Sequence, residues 1–138
     1  MKHLLAVLIL FSSVSIKADN DKKAISTVIE HFIKGADDHN AELLTSALHP
    51  QDQQFFMQKG KLTTLTTEIY LKLIEAKKIG GTPRQFKIKD LDINNNIASA
   101  KVEIRSSKVL FQDYISLMKI DGKWQIMNIV LRYEKPSE

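Results

Sequence analysis

The sequence predicts an α+β domain in which helices come first and pack on one face of an antiparallel sheet. Three observations predict it. From Asp21 to Gly80 the apolar residues recur at three- and four-residue spacing, interrupted by one short hairpin; beyond Pro83 they only alternate, and Asp121-Gly122 separates the last two alternating runs. The first pattern is helical, the second is that of half-buried strands, and Asp-Gly is the strongest two-residue hairpin signal.

The chain has 138 residues and opens with Lys2 and His3, the apolar run "LLAVLILF", and the small and polar "SSVSIKA" ending at Ala18. This is the three-part pattern of a secretory signal peptide, and its apolar run is far short of the ~20 residues that span a bilayer. The expected organisation is a signal peptide over 1–18 and one domain over 19–138, with an uncleaved N-terminal anchor as the alternative. Cysteine is absent, which removes lipid attachment at a cysteine, disulfides and thiolate chemistry. The mature protein is expected to be periplasmic or secreted, with no membrane contact once the leader is removed. Loss of Lys2 and Lys17 with the leader lowers the 20 basic residues to 18 against 16 acidic ones. The remaining charge of about +2 is spread along the chain with no basic run interleaved with aromatics, so no nucleic-acid partner is expected.

The first helix runs from Asp21 to about Asp38, with Ile25, Val28, Ile29, Phe32, Ile33 and Ala36 on its apolar stripe. His39 and Asn40 break it, and Asn40 is a good N-cap for a short helix "AELLTSAL", which Pro50 is expected to stop. "QQFFMQKGKL" reads as a small hairpin turning at Lys59 and Gly60. Thr66 caps the third helix, Leu65 can staple against Tyr70, and Gly80-Gly81 are expected to end it.

Four runs follow: "RQFKIKDLDI", "NIASAKVEIR", "VLFQDYISLMKI" and "KWQIMNIVLRY". With Ile120 opposite Lys123 and regular pairing outward, Phe111, Asp113, Ile115 and Leu117 share one face with Trp124, Ile126, Asn128, Val130 and Arg132. The other face then holds Tyr114, Met118, Met127, Ile129 and Leu131. The first face is richer in large apolar groups near the turn and is assigned to the helices.

"FIKGADDHNAELLTSALHP" and "DYISLMKIDGKWQIMN" carry a resemblance to the nuclear transport factor 2-like superfamily. The chain is most similar to its SnoaL-like branch known as putative lumazine-binding, over about Ile25 to Tyr133. The resemblance implies a cone, in which three N-terminal helices are wrapped by a strongly curved, mostly antiparallel sheet that leaves a pocket between them. Such proteins include isomerases, dehydratases, polyketide cyclases and pure binders, so the fold does not select a function. Ile129 stands where a lysine often follows the asparagine in that group, and His39-Asn40 where Gly-Asp is usual.

Asp113 is expected opposite Val130, with Asn128 and Arg132 on its diagonals. A carboxylate and an amide on an apolar concave wall suit a small-molecule pocket; an Asp113–Arg132 ion pair at the rim is the structural alternative. Tyr70 and His49 are further pocket candidates. Trp124 is included among ligand-contacting residues, although burial in the core suits it better. His31, His39 and His49 lack the spacing of helical metal ligands, so neither a metal nor a cofactor is expected. The leading expectation is non-catalytic binding of a small, partly apolar ligand. The alternatives are a proton-transfer isomerase or dehydratase with Asp113 as base and Tyr70 stabilising an oxyanion, or a module that dimerises through the outer sheet face.

Overall fold

The computed structural model describes the backbone of residues 2–137 and the side chains of residues 16–137. The signal peptide expected over 1–18 therefore lies, as far as residue 15, outside the described side chains. Among the described residues no helix is long and apolar enough to cross a membrane.

Helix α1 spans Lys2–Asp37 and α2 spans Ala41–Ala47. Residues 16–20 are exposed and Asp21 is the first buried among the described side chains, after which Ile25, Ile29, Phe32, Ile33 and Ala36 bury the expected stripe. His39 takes a left-handed backbone (φ 50°), and the Asn40 N–H donates to the Gly35 carbonyl at 2.8 Å. Asn40 then caps α2 by accepting from the Leu43 N–H. The two helices pack so closely that a Cβ at Gly35 would lie 2.7 Å from Leu44 Cγ.

Strands β1 (Leu48–Gln58) and β2 (Lys61–Thr66) form the first hairpin, with Lys59 and Gly60 both at positive φ. Pro50 does not end α2: the helix stops at Ala47, Leu48 is already extended, and Pro50 sits inside β1. Helix α3 (Thr67–Glu75) follows, with the Thr66 hydroxyl accepting from the Ile69 N–H. Its end differs from expectation. Lys77, at φ 54°, donates to the Ile74 carbonyl and Lys78 to that of Leu73, a Schellman closure made without glycine. Gly80 and Gly81 serve instead to lay the next connection on the end of α1. Gly81 N–H donates to the Ala36 carbonyl, and a Cβ at Gly80 would stand 2.3 Å from that oxygen.

Strands β3 (Gln85–Asn94), β4 (Ile97–Arg105), β5 (Leu110–Ile120) and β6 (Lys123–Glu134) complete a six-stranded sheet in the order β2-β1-β6-β5-β4-β3. Every pairing is antiparallel except β1 with β6. The three helices pack on the curved inner face, where Ala100, Val102, Ile104, Ile115, Leu117, Ile126 and Ile129 join the α1 stripe in one core.

The last hairpin starts as expected, with Ile120 opposite Lys123 and Leu117 opposite Ile126. A bulge then skips Met127, so Ser116 pairs with Asn128 and Asp113 with Leu131. One extra residue reverses every side chain beyond it, because strand side chains alternate with period two. Ile129 and Leu131 therefore turn inward, while Asn128, Val130 and Arg132 turn outward. This corrects the expected Asp113–Val130 pairing and the faces assigned to the outer half of β6.

Candidate functional site

The inner face of the sheet and the helices enclose a cavity of about 300 Å³. That is the lower end of the range for small-molecule sites and the volume of about ten liquid waters. Five aromatic rings line it: Phe32 of α1, Phe56 of β1, Tyr70 of α3, Phe111 of β5 and Tyr133 of β6. They fall into two groups, Phe32 with Tyr70, ring centres 6.1 Å apart, and Tyr133 with Phe56 at 6.1 Å and Phe111 at 6.2 Å. Leu65 and Leu131 add aliphatic wall.

Polar groups enter this wall at few points. Asp113 is brought inward by β5, whose neighbours on the same face, Phe111 and Ile115, hold it in an apolar row. It is 3% exposed, and its Oδ1 is sealed from solvent with no hydrogen-bond partner. Burial pushes its pKa up to about 7, with the Arg84 charge pulling the other way. Gln54, inward on β1, is also buried, and its Nε2 has no partner. Tyr70 is 7% exposed and makes no hydrogen bond through its hydroxyl among the described residues. Burial raises its pKa above the ordinary phenol value, Arg84 opposes this, and the carboxylates of Asp113, Asp37 and Asp52 add to it. The hydroxyl therefore stays protonated and able to donate.

Arg84, just ahead of β3, supplies a partly buried positive charge. Its Nε donates to Asp37 Oδ1 at 2.6 Å and its Nη2 to the Ile33 carbonyl at 3.2 Å, while its own N–H donates to Asp37 Oδ2 at 2.9 Å. Its guanidinium lies 5.5 Å from the centre of the Phe111 ring. The ion pair thus ties the end of α1 to the start of β3, next to the cavity.

Asp52 is a further buried carboxyl, two residues before Gln54 on the same inward row of β1. Both its oxygens lack a partner, and burial pushes its pKa up to about 7. The Gln53 backbone N–H acts in the opposite direction but falls outside hydrogen-bond geometry. The Asp52 carbonyl, like that of His49, accepts from the Thr67 hydroxyl at the start of α3.

Of the residues singled out from sequence, Asp113 and Tyr70 meet at the cavity, and the other three lie elsewhere. The bulge sends Asn128 to the outer face opposite Ser116. Trp124 is core, its Nε1 donating to Asp21 Oδ1 at 3.0 Å near the hairpin turn. His49 lies at the start of β1 and accepts from the Gln51 N–H through Nδ1. Arg132 reaches Gln112 and Glu134, so the Asp113–Arg132 pair does not form. His31 contacts Ser46 and His39 donates from Nε2 to the Ile79 carbonyl. Among the described residues no group of three candidate ligands is placed to hold a metal ion.

Sequence reasoning missed Arg84, Gln54 and Asp52. The alternation Asp52, Gln54, Phe56 was a readable signal for one face of β1. Arg84 had none, because its partner Asp37 lies 47 residues away.

A helix-filled cone with a cavity of this kind defines a nuclear transport factor 2-like protein. The chain belongs to the family described as "Putative lumazine-binding", whose model matches residues 20–132. Solved structures agree in fold. A protein of unknown function from Silicibacter pomeroyi DSS-3 is 16% identical, with a TM-score of 0.77 over 85% of this chain and 98% of its own. Another from Shewanella baltica OS155 is 23% identical, with a TM-score of 0.76 over 86% and 96%. A ketosteroid isomerase-like protein from Erwinia carotovora atroseptica SCRI1043 is 11% identical, with a TM-score of 0.67 over 83% and 96%. No curated protein matches the chain.

Proposed function

We propose that the protein binds a small, partly apolar organic molecule in the cone cavity without transforming it. The observation that carries this reading is the combination of an aromatic cavity with buried polar atoms that no protein group satisfies, Gln54 Nε2 and Asp113 Oδ1. Leaving such atoms unpaired costs about 1–3 kcal/mol each, and a bound molecule that reorders this wall recovers it. The family's name points the same way, toward a small ligand. The test is native mass spectrometry of the protein purified from its own host. A bound mass that disappears in Asp113→Ala and Tyr70→Phe supports the reading; an empty protein, unmoved in thermal stability by a metabolite library, sinks it.

A second reading is favoured by one observation. Asp113, its pKa pushed up to about 7 by burial, lines the same cavity as Tyr70, whose hydroxyl stays protonated. Together they supply the groups needed to take a proton from carbon next to a carbonyl and stabilise the resulting oxyanion. Conversion of the captured molecule on incubation, lost in Asp113→Asn, would replace the binding reading with this one.

We also propose export to the periplasm or medium, with cleavage after Ala18. Exposure of residues 16–20 ahead of the buried Asp21 supports this, since the cut itself falls in an exposed stretch. Homodimerisation through the outer sheet face is the matching proposal for assembly. It rests on the cross-strand pairs Ile97–Met118 and Tyr114–Val130, all four exposed and apolar. A monomer by light scattering at high concentration would refute it.

A further inference from the structure

The cavity carries an electrostatic asymmetry that bears on what it takes. Sheet pairing sets Gln85 beside Arg105 and Arg105 beside Leu110, so Arg84 and the turn between β4 and β5 lie at the same end of the sheet. Both line the cavity, the turn through Ser106, Lys108 and Val109. That turn is held by the Ser106 hydroxyl, which accepts from the N–H groups of Lys108 and Val109 at 3.1 Å. Lys108 makes no ion pair among the described residues. A guanidinium has five N–H donors. Arg84 commits Nε and one Nη2 hydrogen to Asp37 and Ile33, and its Nη1 has no partner among the described residues. Among the described lining residues Asp113 is the only acid, and burial favours its neutral form.

We infer that the ligand is an aromatic carboxylate, seated with its rings among Phe32, Phe56 and Phe111 and its carboxylate against Arg84 and Lys108. This rests on the small-molecule reading of the same cavity. Ring-lined walls exclude water from the aromatic body and offer it offset or edge contacts. The guanidinium is anchored by Asp37 before any ligand arrives, so little side-chain entropy is lost on binding. Its free edge gives a carboxylate charge-assisted hydrogen bonds, and the exposed Lys108 ammonium adds attraction at the rim. A cationic ligand would meet the Lys108 and Arg84 charges at this end, with the Asp37 carboxylate already committed to Arg84.

The test compares three probes of one shape, 2-naphthoate, 2-naphthol and 2-naphthylmethylammonium, by calorimetric titration of the protein. The expected order has naphthoate about ten- to hundredfold tighter than naphthol, with the ammonium weakest. Lys108→Gln should shrink the naphthoate-to-naphthol ratio roughly two- to fivefold, and added salt should shrink it further. The ratio is the readout because damage to the fold weakens both probes alike. Arg84→Gln should abolish the preference if it folds; the Lys108 variant and the salt series decide the matter if it does not. Naphthol or the ammonium binding as tightly as naphthoate overturns the inference, and so does failure of all three to bind. A protein that captures a molecule from its host yet shows either of those results keeps the binding reading and loses this one.

Discussion

Trp124 Nε1 donates to Asp21 Oδ1 at 3.0 Å, joining residues 103 apart in sequence, and Lys119 Nζ donates to the same oxygen at 3.0 Å. The carboxylate is held below its usual pKa range, first by the indole hydrogen bond and then by the lysine. One short acidic side chain thus fastens α1, at Asp21, to the β5–β6 hairpin. Asp21→Ala should lower stability by about 1–3 kcal/mol in urea unfolding, because the indole N–H is left buried without an acceptor. Trp124→Phe with Asp21→Ala should cost less than the sum of the two single changes.

The N-terminus of the protein recovered from its host should be Asp19. Intact-mass measurement reads this directly, and a chain that retains residues 1–18 would favour the uncleaved anchor.

Asp113 and Asp52 set the pH dependence of stability. Burial pushes each up to about 7 from the 3.8 of an ordinary aspartate, so the folded state binds more protons than the unfolded one between those values. The favourable contribution is complete below about pH 4 and lost as pH rises to about 7. Together the two groups should make the protein less stable at pH 8 than at pH 5, by an amount on the order of a few kcal/mol. Asp52→Asn should flatten that slope and raise the melting temperature at pH 8 more than at pH 5. A melting temperature that climbs between pH 5 and pH 8 would contradict the assignment.

Two glycines at positive φ separate strain from crowding. Gly60 (φ 74°) has open space around a would-be Cβ, whereas at Gly80 (φ 79°) the Cβ would stand 2.3 Å from the Ala36 carbonyl oxygen. Gly60→Ala should cost about 1–2 kcal/mol from the left-handed backbone alone. Gly80→Ala should cost clearly more, since the connection must also lift off the end of α1; equal losses in parallel unfolding curves would refute the close approach.

Ligand capture should distinguish the two faces of β6. Asn128→Leu should leave the captured mass in place, and Leu131→Asp should abolish it, because the bulge puts Leu131 in the cavity wall and Asn128 outside it.

The limits of sequence reading are visible in the same strand. The period of the apolar residues settled which segments are helix and which are strand, the caps at Asn40 and Thr66 settled where two helices begin, and Asp121-Gly122 settled the hairpin register as far as Ile126. Each rests on interactions spanning a few residues, which sequence records. What lies beyond Ile126 was decided by tertiary contacts. On β6 the bulge falls where the parallel partner β1 also loses register, between the pairs Leu48–Ile126 and Gln53–Asn128. Regular pairing would have turned Asn128 inward and Ile129 outward; with Met127 skipped, Ile129 enters the core and the polar Asn128 leaves it. No local signal in "WQIMNIV" marks the skipped residue. The same is true of the Arg84–Asp37 pair: residues distant in sequence become neighbours only when the end of α1 meets the start of β3, so the sequence by itself determined the helices, the strands and the inward face for Asp113, and packing decided the charged company it keeps.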